Sequence, residues 1–508
     1  MPLSPDSLHP PRTLAEVLEH QAGARPDAPA LRFEGLQWSY SGFAREVGQA
    51  AATLRHGFGV RHGDRVAWLG ANHPGQLVLL FALARIGAVL VPLNFRLAAA
   101  EWDAVLADCS PVCVVHDAAW QEAAVALAAR CGVPARSVSA LVPGAAPAPG
   151  DQPALAPDQT QVPGKAGTAA DPVLLVYTSG TTGLPKGAVH TQANLLANMA
   201  AACAAQQMGP ADVVATVLPM FHVGGLCIQT LPALYAGASV ILHPRFEPEA
   251  TLACFAQDRP SLTLLVPAVM QALTGHPGWA LADLSGLRAV WAGSSTLPQS
   301  LVDAFHARGV PVCNVYGATE TGPFSIALTA RHAFSHAGSC GWPAQGVEVR
   351  LEGARDGVGE LLLRAPNVAQ RYWPAAPAVD AEGWFHSGDL GRQAADGSWT
   401  IVGRLKDMII SGGENIYPAE IENLLAEHPC VAECAVIGMP DDKWGEVVVA
   451  ALVARAGMEA TADDVLHFLA GRIARYKLPR RVVWLDALPK TALGKVQKPL
   501  LRPLLVPQ

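Results

Sequence analysis

A chain of 508 residues exceeds what one hydrophobic core usually supports, so at least two domains are expected, and an apolar fraction of 51% is enough to fill them. The formal net charge of −7 is mild over this length and argues against a general nucleic-acid binder. The ten cysteines form no C-x-x-C pair, so their spacing points to neither a zinc site nor a disulfide framework, and reduced cytosolic thiols are the simplest account.

The first twelve residues, M-P-L-S-P-D-S-L-H-P-P-R, lack the apolar core of a signal peptide. Thr13-Leu-Ala-Glu16 has the form of a capping box opening an amphipathic helix. Arg65 to Gly70 reads as a strand, followed by an apolar segment from Leu77 to Leu93 that Arg85 interrupts and that is short for a membrane span. A cytoplasmic protein without stable membrane insertion is expected. Further apolar runs at Val112–Val115, Val173–Tyr177, Val213–Leu218, Ser239–Leu242, Leu262–Val266, Arg288–Ala292 and Val310–Val315 alternate with helical patterns, which predicts an α/β domain of mostly parallel sheets. The Ala/Pro/Gly-rich stretch from Leu141 to Asp171 reads as a surface connection. After Gly403 the pattern changes to a compact α+β unit: a strand at 408–410, a helix at 418–426, strands at 432–438 and 447–453, a helix at 462–474 and a strand at 481–485. The expected organisation is a large domain over residues 1–403 and a small mobile domain over 404–508. From Gly471 to the end, nine Lys or Arg face one acid, Asp486, a balance that suits an anionic ligand.

The run Tyr177-Thr178-Ser179-Gly180-Thr181-Thr182-Gly183-Leu184-Pro185-Lys186-Gly187 carries the most chemistry. Thr178, Ser179, Thr181 and Thr182 offer hydroxyl donors, Gly180 and Gly183 let backbone N–H groups approach phosphate oxygens, and Lys186 adds a mobile positive charge. It is not a P-loop, because Lys186 follows a proline and the next helix begins only after Thr191, its predicted N-cap. A backbone nest rather than a helix N-terminus is therefore expected to hold the phosphates.

This loop resembles that of the adenylate-forming superfamily of acyl-CoA synthetases, firefly-type luciferases and peptide-synthetase adenylation domains. The resemblance continues through Asn314-Val-Tyr316-Gly317-Ala-Thr319-Glu320, His386-Ser-Gly-Asp389, Gly403-Arg404-Leu-Lys406-Asp407 and Pro489-Lys-Thr-Ala-Leu-Gly494-Lys495, in the family's order. It implies an AMP-forming acid–CoA ligase that uses ATP, Mg²⁺ and coenzyme A and passes through an acyl-adenylate. By that resemblance Glu320 and Thr181 serve the metal and Thr319 lies next to the α-phosphate. Tyr316 offers its ring to adenine, with Asn314, Gly317 and the Gly293-Ser294-Ser295 loop beside it. Asp389 takes the ribose hydroxyls and Arg404 supports the ribose or phosphate side. Lys495 is the adenylation lysine, placed 89 residues beyond the hinge position Lys406 and so able to reach the site in one domain arrangement only. Rotation about Lys406 then presents Ser411-Gly412-Gly413-Glu414 for a thiol channel, with Tyr476 and Arg480 as contacts of the CoA nucleotide.

His222, in Leu218-Pro-Met-Phe-His222-Val-Gly-Gly225, stands where amino-acid-activating relatives carry an aspartate, so an α-amino acid is disfavoured. Val223, Leu226, Val266, Met270, Ser294, Gly317, Pro323 and Phe324 would add an apolar acyl pocket without a lysine or arginine, which disfavours a small dicarboxylate. A fatty or an aryl acid is expected, and the sequence does not choose between them. Delivery of the acyl group to a separate carrier protein is the alternative to CoA, though no carrier domain follows Gln508. A catalytically dead nucleotide-binding protein is disfavoured by Lys186, Glu320, Asp389, Arg404 and Lys495 all being present. A homodimer is compatible with this reading.

Overall fold

The computed structural model describes residues 11–142, 166–178, 185–293, 297–412, 414–458, 460–490 and 496–505. Its larger part is an α/β domain on two sheets. In one, the spatial order is Ala135–Ser137, Cys113–His116, Arg65–Leu69, Val89–Pro92, Pro172–Thr178 and Lys186–Thr191. Every pairing there is parallel except the last. The second sheet runs Val312–Tyr316, Ala289–Ala292, Leu262–Leu265, Val213–Thr216, Ser239–Leu242 and Pro29–Phe33 in parallel, with short antiparallel strands at both edges. Strands such as Val89–Pro92 and Ala289–Ala292 are buried at every residue, because helices cover both faces of a parallel sheet and alternation has nothing to report.

Local signals act where they were expected, with differences that have physical causes. Thr13 caps the helix Leu14–Ala24 by accepting from the Glu16 N–H, but the Glu16 carboxylate takes the Arg12 N–H at 2.7 Å, so the box closes one residue early. Thr191 and Asn194 exchange their bonds reciprocally at the start of Gln192–Gln206. The apolar segment after Leu77 is an interior helix, Pro74–Ile86, followed by a core strand. No helix among the described residues is long and apolar enough to cross a membrane. Leu141 and Val142 are buried in the main core, so at its first residues the stretch taken for a surface connection is packed; residues 143–165 of it lie outside the described ones.

An antiparallel sheet of Glu348–Arg355, Val358–Arg364, Phe385–Gln393 and Trp399–Arg404 departs from the mostly parallel pattern. Gly388-Asp389, which taken alone reads as a turn, lies inside the third of these strands. The ladder slips there, since Glu360 pairs with Leu390 but Leu362 pairs with His386, and Gly388 takes φ +67° to absorb the extra residues. That irregularity sets Asp389 beside Arg404 on the next strand.

The small C-terminal domain has a sheet ordered Glu414–Ile416, Ile409–Ser411, Gly445–Ala454 and Val431–Asp441, with Arg481–Trp484 added in parallel to Gly445–Ala454. Its second helix ends at Leu469 rather than Ala474, because Ala470 turns extended and Gly471 takes φ +79°. Much of the basic C-terminal run is internally neutralised: Arg472 pairs with Glu427, Lys477 with Glu420, Lys490 with Glu433, Lys498 with Glu422 and Arg502 with Glu446. The sequence balance overstated the charge left for a ligand, since the partners come from earlier in the chain.

Candidate active site

The phosphate-loop candidate joins two antiparallel strands, Pro172–Thr178 and Lys186–Thr191, whose ends meet at Thr178 and Lys186. The Thr178 hydroxyl donates to the Lys186 carbonyl at 3.4 Å. Ser179, Gly180, Thr181 and Thr182 lie outside the described residues. A distant segment closes along the second strand: Trp373 N–H donates to Gly187 O at 2.7 Å and Val189 N–H to Arg371 O at 3.2 Å. This brings Tyr372, which the sequence did not single out, under Lys186, with the ammonium 5.5 Å from the ring centroid. The Tyr372 hydroxyl donates to Glu320 Oε1 at 2.8 Å. Burial first, then the Glu320 charge, hold that hydroxyl well above the usual tyrosine pKa, so it stays a donor.

Glu320 lies in the single turn Thr319–Thr321 after the strand Val312–Tyr316, and its carbonyl accepts from Ala369 N–H at 2.7 Å. Beneath this turn is His190, fully buried, whose ring nitrogens have no hydrogen bond of good geometry. Burial lowers its pKa to about 4, and the Thr319 backbone facing it offsets this only in part, so the ring is neutral. Gly317 lies so close to the Pro323 carbonyl that a Cβ would not fit. Asn314 donates to the Ser339 carbonyl at 3.3 Å.

The structure brings Tyr316, Asp389 and Arg404 together from three strands. Tyr316 Oη donates to Asp389 Oδ2 at 2.8 Å and Arg404 Nε to Oδ1 at 2.6 Å. The Asp389 side chain is 8% exposed and that of Arg404 42%, so the carboxylate is held inside by a cation at the rim. Burial, and behind it the Asp389 charge, push the Tyr316 hydroxyl far above its ordinary pKa.

His222 accepts the Gly224 N–H on Nδ1 at 3.2 Å and so caps the short helix Val223–Gly225, which continues into the turn Leu226–Thr230. A structural task therefore accompanies any role at a pocket wall. Val223, Leu226, Met270 and Phe324 are buried, while Ser294 lies outside the described residues.

Lys406 is exposed in the turn Leu405–Asp407, directly after Arg404. Gly412 takes φ +59° and its N–H donates to the Trp444 carbonyl at 2.8 Å; a Cβ there would stand 2.7 Å from the Trp444 ring. Arg480 covers the same indole at 5.6 Å, making Trp444 a member of this face that carried no motif. Gly413 and Lys495 lie outside the described residues. Their neighbours are placed: Lys490 and Val496 bridge, and Lys490 and Lys498 are each held by a glutamate at 2.7 Å.

The chain matches the family model described as AMP-binding enzyme over residues 18–373 and that described as AMP-binding enzyme C-terminal domain over residues 420–495. It is 44% identical over 506 residues to the indoleacetate–CoA ligase of Aromatoleum aromaticum, covering 96% of each chain. It is 41% identical over 489 residues to a feruloyl-CoA synthase of an Amycolatopsis species, covering 94% of this chain and 96% of that one. Among solved structures, ATP-bound MatB from Rhodopseudomonas palustris superposes with a TM-score of 0.85 at 29% identity, over 97% of this chain and 98% of the other. The family models and relatives of this similarity over nearly the whole length lead to one conclusion: the chain belongs to the AMP-binding enzyme family, as an acid–CoA ligase that uses ATP, Mg²⁺ and coenzyme A and works through an acyl-adenylate.

Proposed function

We propose that the acid is an aryl acid, activated between the 222–230 segment and the sheet that carries Asn314 and Tyr316. The observation that carries this is that Val223, Leu226, Met270 and Phe324, which the family resemblance assigns to the acyl pocket, are all apolar and buried. The names of the two relatives above, both aryl-acid ligases, support the aryl over the fatty branch.

Joining a carboxylate to ATP brings two anions together, and like charges about 4 Å apart repel by roughly 4 kcal/mol at an effective dielectric of about 20. Charge must therefore be met before orientation can help. The residues suit that task. Lys186 and the hydroxyl-rich loop hold phosphate oxygens; Glu320, fixed by Tyr372, and Thr181 are hard oxygen ligands suited to Mg²⁺, which supplies neutralisation of the phosphates when bound. Tyr316 gives a ring for adenine, and Asp389, steadied by Arg404, accepts from the ribose. Lys495 follows the carboxylate and α-phosphate as charge moves towards pyrophosphate.

The domains divide at residues 403 and 404, and the exposed Lys406 turn is the hinge on which the second half-reaction depends. Rotation there would carry the Gly412 face, with Trp444, Tyr476 and Arg480, to the pantetheine and nucleotide of CoA. Ten free cysteines favour a cytoplasmic enzyme, and assembly as a homodimer is part of the same proposal, read out by sedimentation. Steady-state comparison of cinnamic and arylacetic acids with C12–C16 fatty acids tests the substrate class: higher kcat/KM on the aryl acids is expected, and the reverse order would overturn it.

A further inference from the structure

Met220 lies between Leu218 and His222, in the turn that leads to the segment proposed to face the acid, and it is fully buried, so both of its main-chain groups need partners inside the protein. Two side chains supply them. The Met220 N–H donates to Asn72 Oδ1 at 2.8 Å, and its carbonyl accepts from Gln76 Nε2 at 3.1 Å. Asn72 Nδ2 donates as well to the Leu218 carbonyl at 2.9 Å and to the His243 carbonyl at 3.0 Å. One amide offers an acceptor and two donor hydrogens, and Asn72, itself buried, uses all three.

Both side chains stand on a fixed base. Asn72 follows the strand Arg65–Leu69 of the first sheet; its own N–H donates to the Pro244 carbonyl at 3.2 Å, and the Ala71 N–H before it to Asp117 Oδ2 at 2.8 Å. Gln76 comes four residues later, in the first turn of the interior helix Pro74–Ile86. A single loop of one sheet thereby holds the chain where it leaves two neighbouring parallel strands of the other, Val213–Thr216 and Ser239–Leu242. The carboxyl ends of parallel strands are where α/β folds place their ligands, so a shift of main chain there reaches a ligand. The turn beyond Met220 has little slack to absorb such a shift. The His222 N–H donates to the Pro219 carbonyl at 3.3 Å, a Cβ on Gly225 would stand 2.3 Å from that same oxygen, and the Phe221 ring packs edge-on against Phe95 with centroids 5.1 Å apart.

We propose that Asn72, assisted by Gln76, is the positioning residue of the acid site: by holding both main-chain groups of Met220 it sets where His222 and the helix Val223–Gly225 stand against the acid. Neither side chain touches a reactant; both act through the main chain of the turn. This rests on the placement of the acid beside the 222–230 segment. Leucine at either position keeps the bulk and offers no hydrogen bond, so Met220 would be left with a buried, unpaired group and the turn would move to relieve it.

The test reads the KM for cinnamate against the KM for ATP in the full chain. Asn72→Leu should raise the KM for the acid by about 10- to 100-fold, the effect of a small misplacement at a binding group, while the KM for ATP stays within about 3-fold. Gln76→Leu, which removes one bond, should raise the acid KM by about 3- to 10-fold, and it keeps the test open where Asn72→Leu folds poorly. His222→Ala reports separately on whether the segment faces the acid. An acid KM raised by His222→Ala but unmoved by both leucine variants, or acid and ATP values that rise together in them, would overturn the positioning role. An acid KM unmoved by His222→Ala would remove the placement of the acid, and the proposal with it. A wild type that takes dodecanoate and no cinnamate would sink the aryl-acid reading alone, and the same comparison made with dodecanoate then decides the role of Asn72.

Discussion

Tyr372 is bound at both ends: its hydroxyl donates to Glu320 Oε1 at 2.8 Å and its ring lies 5.5 Å from the Lys186 ammonium. One side chain thereby fixes an anion and a cation that come from different sheets, before any nucleotide arrives. With the roles proposed for Lys186 and Glu320, such pre-arrangement would remove reorganisation from the step in which phosphate charge moves.

Tyr372→Phe is expected to slow ATP–pyrophosphate exchange by about 10- to 100-fold, since one hydrogen bond to a carboxylate is lost and the ring stays. Tyr372→Ala should cost more, because Lys186 then loses its ring as well. Exchange rates at several Mg²⁺ concentrations check this, and unchanged exchange in the phenylalanine variant would mean the contact belongs to the resting enzyme only.

Lys490 and Lys498 serve as controls for the proposed role of Lys495. Lys490 and Lys498 are held by Glu433 and Glu422, so replacing either with alanine should cost within about 1 kcal/mol of stability and spare both half-reactions. Lys495→Ala should abolish acyl-adenylate formation yet still transfer a supplied acyl-adenylate to CoA. Equal loss of both half-reactions would remove the case for a lysine that serves one arrangement.

Lys406→Pro fixes φ in the turn Leu405–Asp407 and should impair thioester formation more than pyrophosphate release. Single-turnover measurement of each step decides it, with unaltered kinetics placing the hinge elsewhere.

His190 predicts an acid-side loss of stability. Its pKa in the fold is about 4, below the ordinary 6.5, so between these values the unfolded chain binds a proton that the fold refuses. Stability from the neutral ring is complete above about pH 6.5 and is lost as the pH falls towards 4, by about 3 kcal/mol in all. His73, lowered to about 4 by burial, acts in the same direction. His190→Leu should flatten the fall of Tm between pH 6.5 and 4.5; an identical profile would show that the ring protonates without strain.

The parallel strands were legible because burial on both faces writes them as apolar runs, as in Ser239–Leu242 and Leu262–Leu265. The antiparallel sheet was not, since its strands are half-exposed and Phe385–Gln393 carries two glycines and two charged residues, the signature of a loop. Motif order located Asp389, Arg404, Tyr316 and Glu320, of which the fold joins the first three, while Glu320 meets Tyr372. Tyr372 was invisible because it has no motif and reaches Glu320 across 52 positions, through a bridge to Ala188.

The most direct measurement incubates the protein with Mg²⁺-ATP and a mixed panel of aryl, fatty and dicarboxylic acids, with and without CoA, and identifies products by mass spectrometry. Aryl-CoA thioesters together with AMP and pyrophosphate, and dependent on CoA, are expected to dominate. AMP and pyrophosphate released without any thioester, or a fatty acyl-CoA as the main product, would contradict an aryl-acid–CoA ligase.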